Sequence, residues 1–124
     1  FDIAQRVAVL ELNLTVLLGA EPKVPQWKPT GRFPSSDLDL AFIVPDRVAA
    51  EKIDKGIRQA AGALLIDVAL FDVYRGTGVP EGSRSLAYRL RLQALDRTLT
   101  DEDVASVRAK VEAATSKMGA ALRG

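Results

Sequence analysis

From Ser85 to Gln93 the chain alternates without a break, with Leu86, Tyr88, Leu90 and Leu92 on one side and Ser85, Ala87, Arg89, Arg91 and Gln93 on the other. Side chains point alternately to the two faces of a strand, so this segment reads as a strand with one face buried and the other in water. Such a strand belongs in an antiparallel sheet covered on one side only, which excludes an all-helical bundle and a doubly covered parallel sheet. Just upstream, Leu64 to Tyr74 is a long apolar run enriched in β-branched and aromatic residues. The stretch between them, Arg75-Gly76-Thr77-Gly78-Val79-Pro80-Glu81-Gly82, has the composition of a turn region. Together they predict a hairpin.

Each side of the hairpin carries a helix signal and a further strand. Leu38-Asp39-Leu40-Ala41-Phe42-Ile43-Val44 is strand-like and is ended by Pro45-Asp46. Ala49, Ile53, Ile57, Ala60 and Ala61 then fall at helical spacing, with Glu51, Lys52, Lys55 and Arg58 opposite. Gly56 costs that helix about 1 kcal/mol relative to Ala, and Gly62 is its expected cap. After the hairpin, Thr100 is the expected N-cap of a second helix, whose first turn holds Asp101, Glu102 and Asp103 over the positive end of the helix dipole. Val104, Val107, Val111, Ala114 and Met118 line one face of it. Gly119 stops the helix, and Ala120 to Arg123 is long enough for a short last strand. From residue 38 the order is β-α-β-β-α-β, an α+β ferredoxin-like sandwich with a four-stranded antiparallel sheet and both helices on one face.

The N-terminal part does not fit that unit. Val7 to Leu14 alternates from Leu10 onward and reads as a strand. Pro22, Pro25 and Pro29, three prolines in eight positions, argue for an extended linker because proline cannot donate to a ladder. Residues 1–26 are therefore expected to be the last strand of a preceding domain plus a proline-rich linker, with one domain over 27–124. A chain that begins at Phe1 is also expected to be a piece of something longer.

Composition removes most chemistry. At 124 residues, 48% hydrophobic and 27% charged, the chain is expected to fold as a single domain with a buried core. It has no Cys and no His, so disulfides, zinc sites of the usual type and Cys/His or Ser/His nucleophilic machinery are excluded. No apolar run approaches the roughly 18 residues of a membrane span, and the N-terminus lacks the pattern of a signal peptide. A cytoplasmic protein with no membrane partner is the expectation. Gly76, Gly78 and Gly82 match neither a dinucleotide fingerprint nor a phosphate loop and lie between two strands, so turn chemistry explains them. Asp37 and Asp39 share a strand face but lack further ligands, and read as solubilising charges.

One asymmetry is hidden by the formal net charge of +1. From Arg75 to Arg97 there are five arginines (Arg75, Arg84, Arg89, Arg91, Arg97) against Glu81 and Asp96, a local net of +3 around the hairpin. Arg89 and Arg91 face away from the leucines, and Tyr74 ends the partner strand. Arginines with an aromatic platform on a sheet are a means of holding single-stranded RNA by phosphate pairing and base stacking. The alternative is a solvated strand face with Tyr74 packed at the sheet edge.

At these residues the sequence resembles a known family, the C-terminal ferredoxin-fold anticodon-binding domain of the bacterial phenylalanyl-tRNA synthetase β subunit. The resemblance runs from about Trp27 to Arg123. Its most specific parts are Phe71-Asp72-Val73-Tyr74-Arg75-Gly76, Pro80-Glu81-Gly82-Ser83-Arg84-Ser85-Leu86-Ala87-Tyr88-Arg89-Leu90 and Arg97-Thr98-Leu99-Thr100-Asp101-Glu102, with Arg32-Phe33-Pro34 as a weaker match. Leu10-Glu11-Leu12-Asn13-Leu14 also resembles the last strand of the module that precedes this domain.

The resemblance implies a non-catalytic domain that recognises the anticodon stem-loop of tRNA-Phe. It implies an α subunit as partner in an (αβ)2 assembly, no DNA partner, and no cofactor in this fragment, the full enzyme using ATP and Mg. Carried over by motif, Tyr74 is the expected stacking partner of an anticodon base, Ser85 a polar contact and Asp72 an orienting group, with Arg75, Arg89 and Arg91 as further RNA contacts. One departure concerns the first strand. The family often has two arginines before its Asp-Leu, whereas here Asp37-Leu38 precedes Asp39-Leu40, which shifts the expected phosphate binding to the hairpin. The competing class is a ferredoxin-like regulatory or protein-interaction domain without RNA binding, for which a glycine-bearing loop at a strand-helix junction would be expected.

Overall fold

The computed structural model describes residues 6–20 and 32–123. Four strands and two long helices follow the expected order: β1 (Ser36–Pro45), α2 (Ala50–Ala61), β2 (Leu65–Tyr74), β3 (Ser83–Leu92), α3 (Asp101–Ser116) and β4 (Ala121–Leu122), preceded by a short helix α1 (Leu14–Gly19). The sheet order is β2-β3-β1-β4 and every pairing is antiparallel. β1 and β3 run side by side over their whole length, from Ser36 opposite Leu92 to Pro45 opposite Ser83. β2 is one edge, and β4 covers the other edge only at Phe42 and Ile43.

Alternation settles which face is which. Leu40, Phe42 and Val44 of β1, Val68 of β2 and Leu86, Tyr88, Leu90 and Leu92 of β3 are buried on one face, against Ile53, Ile57 and Ala61 of α2 and Val107 and Val111 of α3. Each Val, Leu, Ile or Phe side chain among them removed from water contributes about 1.5–3 kcal/mol, so this single layer holds both helices to the sheet. Tyr88 is the one large polar member, and its hydroxyl donates to Ala50 O at 3.1 Å. Burial pushes its phenol up to about 12. The α3 stripe differs from the expected one in its second half, where Thr115 is buried while Ala114 and Met118 are only partly so. The Thr115 hydroxyl donates to Val111 O (2.9 Å) and Glu112 O (3.1 Å), which meets its polar requirement within the helix.

The helix ends are capped as the sequence indicates. Thr100 Oγ1 accepts from Asp103 N, and Asp103 Oδ2 accepts from Thr100 N, a reciprocal capping box. Arg97 also bonds Asp103, and that guanidinium holds the carboxyl well below the usual carboxylate range. Gly56, a weak point for α2 on propensity, has a packing reason: a Cβ there would run into the end of Met118, whose sulfur would lie 2.9 Å away.

The strand expected over Val7 to Leu14 is not formed. Residues 6–13 belong to no helix or strand, and the chain becomes helical at Leu14, where Asn13 Oδ1 accepts from Thr15 N (3.1 Å) and Val16 N (3.3 Å). Alternation specifies a strand only when another strand supplies the ladder, and none among the described residues pairs here. The Asn13 cap supplies a local alternative. The proline-rich linker falls mostly on residues 21–31, outside the described residues.

Candidate nucleic-acid interface

The face of the sheet away from the helices carries no covering element among the described residues. The register assigns it Asp37, Asp39, Ala41 and Ile43 from β1, Ser85, Ala87, Arg89 and Arg91 from β3, and Asp67, Ala69, Asp72 and Tyr74 from β2. All six expected contact residues lie on this face or, for Arg75, at the end of β2.

The arginines are not free. Asp39 stands directly across from Arg89 and Asp37 across from Arg91, and each pair is bidentate. Arg89 Nε and Nη2 donate to the two Asp39 oxygens at 2.8 and 2.7 Å, and Arg91 Nε and Nη2 donate to those of Asp37 at 2.8 and 2.9 Å. These hydrogen bonds hold both carboxyls below their ordinary values and both guanidiniums above theirs. Arg75 meets Asp46 at 2.8 Å, and Arg84 reaches the same carboxylate and Val48 O. The local charge of +3 counted along the hairpin is therefore cancelled by β1 and the residue that follows it. A sequence window cannot register that cancellation, because the partners lie about fifty residues upstream. Asp37 and Asp39 are ion-pair partners, not merely solubilising charges.

The arrangement at the other end of β2 differs. Tyr74 is 38% exposed, and the guanidinium of Arg123 lies over its ring, 5.2 Å from the centroid. Arg123 follows β4, at the opposite edge of the sheet from β2, and its N–H donates to Ala41 O at 2.7 Å. The Arg123 and Tyr74 side chains must therefore reach toward each other over β1 and β3. Ser85, the cross-strand neighbour of both Tyr74 and Ile43, lies on that path and is only 3% exposed. No described carboxylate bonds Arg123.

Gly76 completes this corner. Its φ is +152°, and a Cβ on it would lie 2.7 Å from Tyr74 Oη, so the Tyr-x-Gly spacing leaves room for the ring. The Tyr74 hydroxyl in turn donates to Thr77 O at 3.4 Å. Asp72, opposite Ala87, is exposed on the same strand one alternation away. Arg123 is the residue that sequence reasoning missed. Its signal was available only as the last residue of an expected short strand, and nothing local says that it meets Tyr74.

Among the described residues no three Asp or Glu side chains converge to hold a metal ion, and no helix is long and apolar enough to cross a membrane. The fold and its open face define a ferredoxin-like α+β domain with an aromatic ring and a guanidinium stacked on an uncovered sheet. A family model described as ferredoxin-fold anticodon binding domain matches residues 31–123, and the chain belongs to that family.

The relatives agree. The chain is 47% identical over 127 residues to the phenylalanine–tRNA ligase beta subunit of Trichormus variabilis, covering 98% of this chain and 16% of that protein. It is 47% identical over 117 residues to the beta subunit of the same name from Geobacillus kaustophilus (94% and 15%), and 43% identical over 123 residues to that of Symbiobacterium thermophilum (99% and 14%). The chain thus spans 14–16% of the length of these curated relatives.

Proposed function

We propose that this chain is the domain of a phenylalanine–tRNA ligase beta subunit that binds the anticodon stem-loop of tRNA-Phe on the open face of its sheet. The observation that carries the reading is the Tyr74–Arg123 stack. A ring and a guanidinium facing each other at 5.2 Å are two flat surfaces of the kind that receive an unpaired base. A base entering between them exchanges one π contact for two, and lifting Arg123 uncovers the Ser85 hydroxyl beneath as a polar contact. Asp72, exposed beside the stack, offers an acceptor for amino or imino groups on the base edge. Arg75, Arg89 and Arg91 act through their ion pairs, shaping the surface more than neutralising phosphate.

The domain does no chemistry in this reading. Aminoacylation with ATP and Mg belongs to the rest of a cytoplasmic (αβ)2 enzyme, with the α subunit as partner, and residues 1–26 lead in from the preceding module of the same subunit. Comparing the binding of tRNA-Phe, an anticodon-substituted variant and an unrelated tRNA tests this. Tyr74→Ala should weaken binding to tRNA-Phe by roughly 1–3 kcal/mol with little change in melting temperature, because the ring is partly exposed. Equal binding of all three RNAs, or Tyr74→Ala binding tRNA-Phe like the parent, would overturn the proposal. Phenylalanine-dependent ATP turnover by this chain alone would overturn its non-catalytic part.

A further inference from the structure

A second ring sits on the same strand in the same posture. The ladder between β2 and β3 pairs Leu70 with Tyr88 and then Asp72 with Ala87, which leaves Phe71 unpaired in a bulge. Its side chain is 54% exposed, although burying a phenylalanine is among the larger gains available to a small domain. Over it lies the Arg89 guanidinium, 5.2 Å from the ring centroid, held from behind by both oxygens of Asp39. Arg89 belongs to the open face, so the Phe71 ring is turned toward that face as well. Alternation from Leu70, which faces the core opposite Tyr88, puts Phe71 on the open side, and the bulge then returns Asp72 to that same side, so two consecutive residues are presented there.

We infer that Phe71, with Arg89 over it, is a second nucleobase platform, taking a base near the one stacked at Tyr74 and Arg123; this rests on the RNA-binding reading above. Phe71 and Tyr74 are three positions apart, about 10 Å along a strand, so one unpaired loop can lie across both. The occupant is a second base of that loop and not its backbone, because Arg89 is already neutralised by Asp39 and offers a phosphate no net charge. The same neutrality separates a base platform from a phosphate contact experimentally: the contribution of Phe71 should depend little on salt.

The test is a thermodynamic cycle between protein variants and anticodon stem-loops that carry a single abasic nucleotide at each loop position in turn. Phe71→Ala should weaken binding to the intact loop about tenfold. That loss should vanish for one abasic position, different from the position that cancels the effect of Tyr74→Ala. Phe71→Leu keeps apolar bulk at the bulge and should lose binding in the same way if stacking is the cause. The inference is overturned if both Phe71 variants bind every loop like the parent, if Phe71→Leu restores parental binding, or if the loss persists undiminished at every abasic position. Coupling found for Tyr74 but not for Phe71 removes this platform alone. A parent chain that binds the intact loop no better than a scrambled hairpin removes the RNA-binding reading, and this inference with it.

Discussion

Replacing Arg123 and Arg91 in parallel separates a cation that can meet RNA from one already neutralised. For a single-stranded site each phosphate neutralised contributes about 0.7 to the slope of log K against log salt, through counterion release. Arg123 bonds no described carboxylate and ends on the Tyr74 ring. Arg91 is held bidentately by Asp37 at 2.8 and 2.9 Å, and the carboxyl is correspondingly lowered. Arg123→Ala should therefore flatten the salt slope by about 0.7, and should weaken binding about tenfold at fixed salt because one wall of the stack goes too. Arg91→Ala should leave the slope unflattened, yet still weaken binding, because it exposes Asp37 to the RNA. Asp37→Asn is the decisive variant: it frees Arg91, so binding should tighten and the slope should steepen by about 0.7. Exposed ion pairs add little to stability, so all three should melt close to the parent. Fluorescence anisotropy of a labelled anticodon stem-loop between about 50 and 200 mM salt reads these quantities. The reasoning fails if Arg91→Ala flattens the slope as much as Arg123→Ala while Asp37→Asn changes nothing.

Three further outcomes follow from the same geometry. Gly76→Ala places a methyl against Tyr74 Oη at a φ of +152°, so it should cost roughly 1–3 kcal/mol of stability and lower RNA affinity much as Tyr74→Ala does, which melting and binding curves would measure; parental affinity would argue that the ring position does not matter. Thr100→Ala removes the acceptor of the α3 capping box and should cost about 1 kcal/mol in denaturant unfolding while leaving RNA affinity unchanged, since the cap is remote from the open face. Tyr88 has a phenol pushed up to about 12 by burial, so the unfolded chain gives up that proton first, near pH 10, and stability should fall as pH rises from about 10 to about 12. Tyr88→Phe should lose about 1 kcal/mol at neutral pH with its hydrogen bond to Ala50 O, yet decline less steeply above pH 10; an equally steep decline would show that other groups govern the alkaline limb.

What the sequence by itself determined is local. The alternation over Ser85 to Gln93 sorts buried from open residues on β3 correctly, apart from Ser85, which Tyr74 and Arg123 meet above. The Thr100 cap, the glycine stops and the order of strand and helix signals are likewise short-range properties, and once one face of every element is apolar, few ways remain to bury them all. The family motif around Tyr74-Arg75-Gly76 was legible for the same reason, because the ring and the glycine that makes room for it lie two residues apart.

Tertiary structure decided everything that depends on which strands are neighbours. The order β2-β3-β1-β4 sets Asp37 and Asp39 against Arg91 and Arg89 and turns a basic hairpin into a neutral surface. It also brings the last described arginine and the Tyr74 ring, from opposite edges of the sheet, together where the candidate site begins. At the N-terminus, an alternating segment that pairs with no strand among the described residues formed no strand itself, and a side-chain cap directs the chain into a helix at Leu14. Alternation specifies which face a residue takes, but charge balance and stacking on that face are set by register between segments far apart in the chain, and register exists only once the sheet has formed.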